Sequence, residues 1–235
     1  MLVCGLGGIG SFVAASLAAA GVGHLMLCDS DVVERSNLTR QYLYSLGDIG
    51  MRKTDALARR LSGVTPYVRI DGVHRTIGGP ADLADLIPAC DLVVSCADLP
   101  SITDMAEIIT AACWPGTPHL LGGSYSYHLG ILGLMVIPGV TACWHCLRRE
   151  IMDEHGDPGM ALIPRSRKAG VLGAQSGIVA NLVAWEALRF LAGMPAALQD
   201  RWAEIDFWPL TISSRTISRH PDCPRCSHPM RSGGS

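Results

Sequence analysis

The stretch that decides the fold reads Leu2-Val3-Cys4-Gly5-Leu6-Gly7-Gly8-Ile9-Gly10-Ser11. Leu2 to Cys4 is a short apolar run that predicts a strand, and the small residues of Gly8 to Ala20 predict a helix able to pack close to a sheet. Between them Gly5, Gly7, Gly8 and Gly10 let the backbone approach a phosphate, and the free N–H groups and dipole at the helix start favour an anion there. The next apolar run, His24 to Asp29, ends in a carboxylate placed to accept from ribose hydroxyls. Alone, this pattern fits any βαβ nucleotide binder, an NAD(P)-dependent oxidoreductase included.

Outward from that turn, helical and strand patterns alternate. Arg52 to Leu61 predicts a helix, Val68 to Val73 a strand, Ala81 to Ile87 a short helix and Asp91 to Cys96 a buried strand. Thr103 to Cys113 predicts a further helix and His119 to Gly122 a strand, so the first half reads as an α/β, doubly wound, mainly parallel sheet. From Tyr125 the pattern changes. Leu129 to Ile137 reads as an antiparallel arm, Glu150 to Lys168 as a long crossing loop, and Gly173 to Leu191 as a long apolar helix. Arg201 to Phe207 and Leu210 to Ile217 predict two more strands, an antiparallel C-terminal extension. The expected organisation is one domain over 1–226, with a nucleotide-binding half about 1–123, a second half about 124–226, and 227–235 as a disordered tail.

Apolar residues make up 49% of the chain and charged ones 17%, the balance of a compact globular protein. A net charge of −2 leaves no electrostatic footprint for nucleic acid or an anionic membrane. No apolar run reaches the roughly 18 residues of a membrane-spanning helix, and the opening residues lack the basic start of a signal peptide. The cytoplasm is the expected compartment. Nine cysteines, an odd number, argue against a fully paired disulfide framework. Cys4, Cys28, Cys90, Cys96 and Cys113 sit singly in apolar surroundings and read as small buried hydrophobes.

The residues after the second strand separate the nucleotide-binding classes. They run Asp29-Ser30-Asp31, then Ser36-Asn37-Leu38-Thr39-Arg40-Gln41, then Lys53. Arg40 and Lys53 suit a triphosphate, which a nicotinamide cofactor does not carry. The fourth strand ends in Cys96-Ala97-Asp98, and a carboxylate facing phosphates calls for a metal, so Asp98 is a candidate Mg²⁺ ligand. Arg40 and Lys53 could instead form a solvated surface pair, and Asp98 could cap the following helix; the ordered set favours a site. Cys143 with Cys146 and Cys223 with Cys226 form two C-x-x-C pairs, matching a tetrahedral, structural Zn²⁺ site. A redox dithiol is the rival, disfavoured by two such pairs in a reducing compartment.

The G-x-G-G-I-G turn, D-x-D, S-N-L-x-R-Q, Lys53, Asp98 and the paired C-x-x-C together resemble the ThiF, MoeB and HesA group, bacterial relatives of ubiquitin-activating enzymes. The resemblance runs from residue 1 to about 226 and includes Ala169-Gly170-Val171 and Trp185-Glu186-Ala187-Leu188. It implies a Rossmann-like fold, a homodimer, and ATP with Mg²⁺ as cofactors. It also implies adenylation of the C-terminal carboxylate of a ubiquitin-like sulfur-carrier protein or a ribosomal precursor peptide, with release of pyrophosphate. By the same resemblance Gly8 lies under the phosphates and Asp29 binds the ribose. Asn37, Arg40, Gln41 and Lys53 line the phosphate path, and Asp98 holds Mg²⁺.

Three departures modify this. Leu99 stands where many relatives carry Asn, so an adenine-side or substrate contact is expected to be lost; Ser166 stands where several carry a cysteine, so the reaction is expected to stop at the acyl adenylate. The family's N-terminal arm usually supplies an arginine across the dimer. Here the first strand follows Met1 directly, which reads as an N-terminally shortened chain, so either activity is reduced, or an upstream segment or another subunit supplies the charge. A non-catalytic partner subunit is the alternative reading; Arg40, Lys53 and Asp98 argue against it.

Overall fold

The structure is a computed structural model and describes residues 1–114, 116–126, 128–155 and 172–227. At the centre of its parallel strands is a strand of three residues. β1 (Leu2–Cys4) lies between β2 (His24–Asp29) and β4 (Val93–Ser95), parallel to both, with Val3 opposite Leu27 and Val94. Hydrogen bonding continues past its ends, since Gly5 N–H donates to Cys28 O at 2.8 Å and Cys96 N–H to Cys4 O at 2.8 Å. The other strands are β3 (Arg69–His74), β5 (His119–Leu121), β6 (Ser124–Ser126), β7 (Leu129–Val136), β8 (Arg201–Asp206) and β9 (Thr211–Thr216). Their order is β3-β2-β1-β4-β5-β7-β8-β9, with β6 paired to β7 off this path. The first five are parallel; β7 joins β5 antiparallel, and β6, β8 and β9 continue antiparallel. This is the expected mainly parallel sheet with an antiparallel extension.

Strand side chains alternate, so the sheet divides the core in two. Val3, Leu25, Leu27, Val94 and Leu120 pack under α1 (Gly10–Ala19), α2 (Lys53–Ser62) and α5 (Gly173–Leu191). Leu2, Cys4, Met26, Cys28, Val93 and Leu121 pack under α3 (Ile102–Cys113) and α4 (Trp144–His155). On the first face α1 lies on α5, and Ser16 Oγ donates to Asn181 Oδ1 at 2.9 Å. Each fully buried Leu contributes about 1.5–3 kcal/mol. Among the described residues no helix is long and apolar enough to cross a membrane.

Three expectations need correction. Glu150 does not open a loop: α4 runs through it to His155, because Leu147 and Ile151, four apart, bury one face against α3 and the sheet. Residues 156–168, the rest of the expected crossing loop, lie outside the described residues. The short helix at Ala81 to Ile87 is instead two 3₁₀ turns, Pro80–Leu83 and Ile87–Ala89. Pro88 has no N–H to give and disfavours α geometry just before it. Of the expected tail, Ser227 is tied down by its N–H to Cys223 O at 3.2 Å, and 228–235 lie outside the described residues.

The glycine turn has no room for side chains where it crosses itself. Gly5 has φ +85°, and a Cβ on Gly10 would stand 1.8 Å from Gly5 O. Gly10→Ala is therefore expected to cost about 3 kcal/mol by forcing the turn apart, read as a lower urea midpoint at unchanged m.

A second prediction concerns acid. His119 on β5 is fully buried; its Nδ1–H donates to Thr117 O at 3.1 Å, and Nε2 has no partner among the described residues. Burial lowers its pKa to about 4, against the opposing pull of the Thr117 carbonyl. Between the unfolded value of about 6.5 and about 4 the unfolded chain binds the extra proton, so stability is full above pH 6.5 and falls as pH drops toward 4. The expected loss at pH 4 is about 3 kcal/mol, and His119→Leu should flatten that limb of the stability–pH curve.

Candidate active site

The strand order reverses between β1 and β4, and at the carboxyl ends of these strands lies a cavity of about 560 Å³. Crevices at such switch points are where open α/β sheets bind ligands. Its floor is the glycine turn, fixed through one residue. Leu6 N–H donates to Asp29 Oδ2 at 2.6 Å, and Leu6 O accepts from the buried Tyr44 hydroxyl at 2.9 Å. Burial pushes the Tyr44 phenol far above its usual range, so the clamp is always a donor. Asp29 Oδ1 accepts from Asp31 N–H at 2.7 Å. A carboxylate has about four acceptor sites, so Asp29 can hold the turn and still accept from a ribose.

The cationic wall is built beside it. Lys53 begins α2 with its side chain only 5% exposed, and its Nζ donates to Asp31 Oδ2 at 2.7 Å. A lysine buried on one carboxylate is held to a single position, as a phosphate ligand needs. The 3₁₀ turn Arg35–Thr39 presents the next residues: Asn37 Oδ1 accepts from Glu34 N–H at 3.1 Å, and Arg40 Nη1 donates to Ser36 O at 3.3 Å. Gln41 is buried, and its Oε1 has no donor among the described residues. Gly8 faces a narrow junction, since a Cβ there would stand 3.1 Å from Ser176 Oγ and 3.3 Å from the Tyr125 hydroxyl.

Asp98 lies across the cavity at the end of β4, beside the exposed Leu99. No carboxylate cluster surrounds it among the described residues, so a Mg²⁺ held by Asp98 would take its other oxygens from nucleotide phosphates and water, the usual habit of that ion.

The four paired cysteines are brought together away from this cavity. Cys143, Cys146, Cys223 and Cys226 are buried, with sulfurs all within 4.8 Å of one another. The Cys143–Cys223 and Cys146–Cys226 sulfurs are 3.5 and 3.4 Å apart. Four thiolates on a tetrahedral Zn²⁺ stand roughly 3.8 Å apart, so the donor set fits that ion in kind and spacing. Cys146 is drawn toward thiolate by the hydrogen bond from Cys143, helped by the His220 backbone N–H at 3.4 Å. Glu107 on α3 reaches into both pairs, with His145 Nε2 at 3.2 Å and Arg225 Nη2 at 3.6 Å.

The sequence profile of the ThiF family matches residues 1–225. The chain belongs to the ThiF family. It is 29% identical over 226 residues to molybdopterin-synthase adenylyltransferase of Escherichia coli K12, covering 96% of this chain and 86% of that one. It is 31% identical over 228 residues to the SAMP-activating enzyme E1 of Haloferax volcanii, covering 96% and 79%. Among solved structures it superposes on E. coli MccB with ATP at a TM-score of 0.83 and 27% identity, covering 96% of this chain and 65% of that one. The chain thus spans about two thirds of that solved protein's length.

Within this ThiF-family cavity, Gly5, Gly7, Gly8, Asp29 and Asp31 form the floor side, and Asn37, Arg40, Gln41, Lys53 and Asp98 the walls. Two expected ligands lie elsewhere. Ser36 is exposed and its hydroxyl donates to Glu34 Oε2 at 3.1 Å; its carbonyl, not its side chain, serves the site by holding Arg40. Gly10 sits beneath the turn as a packing residue. Ser166 and Ala169 to Val171 lie outside the described residues. The sequence reading missed a whole wall, Arg75 to Gly78 after β3, together with Tyr125 from β6. Arg75 is locked in place by Asp85, at 2.5 and 3.0 Å, and by Asp82 O at 2.6 Å. The only signal for that wall is its position at a third parallel strand end.

Proposed function

We propose that this chain is an ATP-dependent adenylyltransferase that activates the C-terminal carboxylate of a ubiquitin-like sulfur-carrier protein or a ribosomal peptide. The observation that carries the reading is a buried Lys53, held by the exposed carboxylate of Asp31, that lines one cavity with Asp98 over a glycine turn. A carboxylate oxygen bonds to the α-phosphorus of ATP while the bond to pyrophosphate breaks. Two anions meet in this step, so the site must neutralise charge as it builds on the phosphoryl oxygens. Arg40 and Lys53 do this from one side. Mg²⁺ held by Asp98 would supply further positive charge from the other. The glycine-turn N–H groups at the start of α1 point the same way. The nucleophile is already ionised at neutral pH, so no general base is needed.

Family membership supports the reading, as do relatives named for adenylating molybdopterin synthase and a solved relative with ATP. Residues 1–226 act as one adenylation domain in this reading, supported by a sheet continuous from β3 to β9. We place the reaction in the cytoplasm, where the nine unpaired thiols are at home. The working form is a homodimer, supported by apolar Ile178 and Trp185 exposed along α5. The test is ATP–pyrophosphate exchange with candidate carriers ending in Gly-Gly and with precursor peptides. Exchange that depends on a free C-terminal carboxylate is the expected result; none with any carboxylate partner under saturating MgATP overturns the reading.

A further inference from the structure

Three side chains converge beside Gly8. The point a Cβ would occupy there lies 3.1 Å from Ser176 Oγ, 3.3 Å from the Tyr125 hydroxyl and 3.6 Å from Arg40 Cγ. Ser176 is fully buried off the cavity lining, and its hydroxyl donates to Leu172 O at 3.4 Å. Arg40 brings the stem of its side chain to this point, while its guanidinium reaches Ser36 O. Tyr125 differs from both. It is half-buried and lines the nucleotide cavity, and its hydroxyl has no hydrogen-bond partner among the described residues. The ring is fixed from behind, because Tyr125 stands on β6 opposite Gly130 of β7 and packs against the core under α1 and α5. That packing asks only for a phenyl ring, so the hydroxyl is left to serve the cavity.

Gly8 stands just before α1, which begins at Gly10. The first N–H groups of a helix have no partner within it and draw an anion. A hydroxyl in contact with Gly8 is therefore within hydrogen-bond reach of a phosphate held on those groups. A phenol O–H donates without carrying a charge. It adds a hydrogen bond to a phosphoryl oxygen without adding a further cation for the incoming carboxylate to pair with. We infer that Tyr125 is a phosphate-binding residue, its O–H donating to a non-bridging oxygen of the nucleotide's polyphosphate over Gly8. This rests on the adenylation reading of the cavity. The site then draws on both halves of the chain, with the glycine turn and Lys53 from the parallel half and Tyr125 from the antiparallel one.

The probes are MgATP, magnesium pyrophosphate and adenosine, titrated by calorimetry into the wild-type chain and into Tyr125→Phe, which keeps the ring and its packing. The expected result is that the variant binds MgATP and magnesium pyrophosphate about 10-fold more weakly, the size of one hydrogen bond to a charged acceptor. Adenosine, which has no phosphate, should bind both proteins within about 2-fold, well under the effect of one such bond. The ATP-to-adenosine ratio is taken within each protein, so a general loss of stability does not mimic the effect. A second measurement needs no substitution that removes the hydroxyl. With 3-fluorotyrosine at position 125, the fluorine resonance should move on adding magnesium pyrophosphate and stay in place with adenosine. If Tyr125→Phe changes ATP and adenosine alike, or neither, the hydroxyl does not hold phosphate, while ATP binding by wild type leaves the adenylation reading standing. If ATP affinity is unchanged and the KM for the acyl partner rises instead, the hydroxyl serves the carboxylate and the proposal falls. If wild type binds none of the three probes, the adenylation reading itself falls.

Discussion

Asp98→Ala is expected to lower ATP–pyrophosphate exchange by about 10²–10³-fold, the usual cost of removing one fixed group that stabilises transition-state charge. The same change should abolish the Mg²⁺ dependence of ATP binding. Without the carboxylate, the ion would lose the protein oxygen assigned to it at the end of β4. The fold should be untouched, because Asp98 stands at a strand end on the cavity wall and not in either core cluster. Thermal melting within a degree or two of wild type, with exchange lost, is the full signature. Asp98→Ala with full activity would falsify the assignment of the metal to this residue.

The second large effect concerns the four cysteines. Chelation, or Cys146→Ser, is expected to destabilise the chain by about 5 kcal/mol, a fall of roughly 15 °C in Tm at this size. The reason is geometric. The sulfurs are buried and within 4.8 Å of one another, so a shared cation would cross-link two chain segments, and its loss would release that link. Because Glu107 ties His145 and Arg225 to α3, loosening the pairs also frees α3, the helix that starts just after Asp98. One equivalent of zinc by elemental analysis and a chelator-sensitive Tm are the measurements. A metal-free protein of unchanged Tm would contradict the assignment.

Much of this was legible in the residues themselves, for identifiable reasons. His24–Asp29 and Gly173–Leu191 were read to the residue, since each is a strongly patterned apolar run with glycine at its edge. The α4 helix was not, because a cysteine pair occupies its first turn and charged residues fill the next, masking the spacing of Leu147 and Ile151. At the site, Asp98 and Lys53 were legible because each follows a local element at a fixed offset. Tyr44, Arg75 and Tyr125 were not: Tyr44 reaches the back of the glycine turn, and the other two reach the cavity wall, through the order of strands or a loop's path, which no local spacing records. Ser36 is placed off the cavity lining for the opposite reason. It belongs to the right motif, yet it is its backbone carbonyl that does the work.

The two sulfur pairs also have a meaning in terms of chain connectivity. Cys143 and Cys223 are 80 residues apart, and so are Cys146 and Cys226, so one point in space closes a loop containing α5, β8 and β9. Closing a loop of that length removes about 4 kcal/mol of freedom from the unfolded chain. The stretch from α4 through β9 therefore begins and ends at the same place. A polypeptide cut anywhere between Cys146 and Cys223 would still travel as one particle while the ion is held, and come apart only when both chelator and denaturant are added.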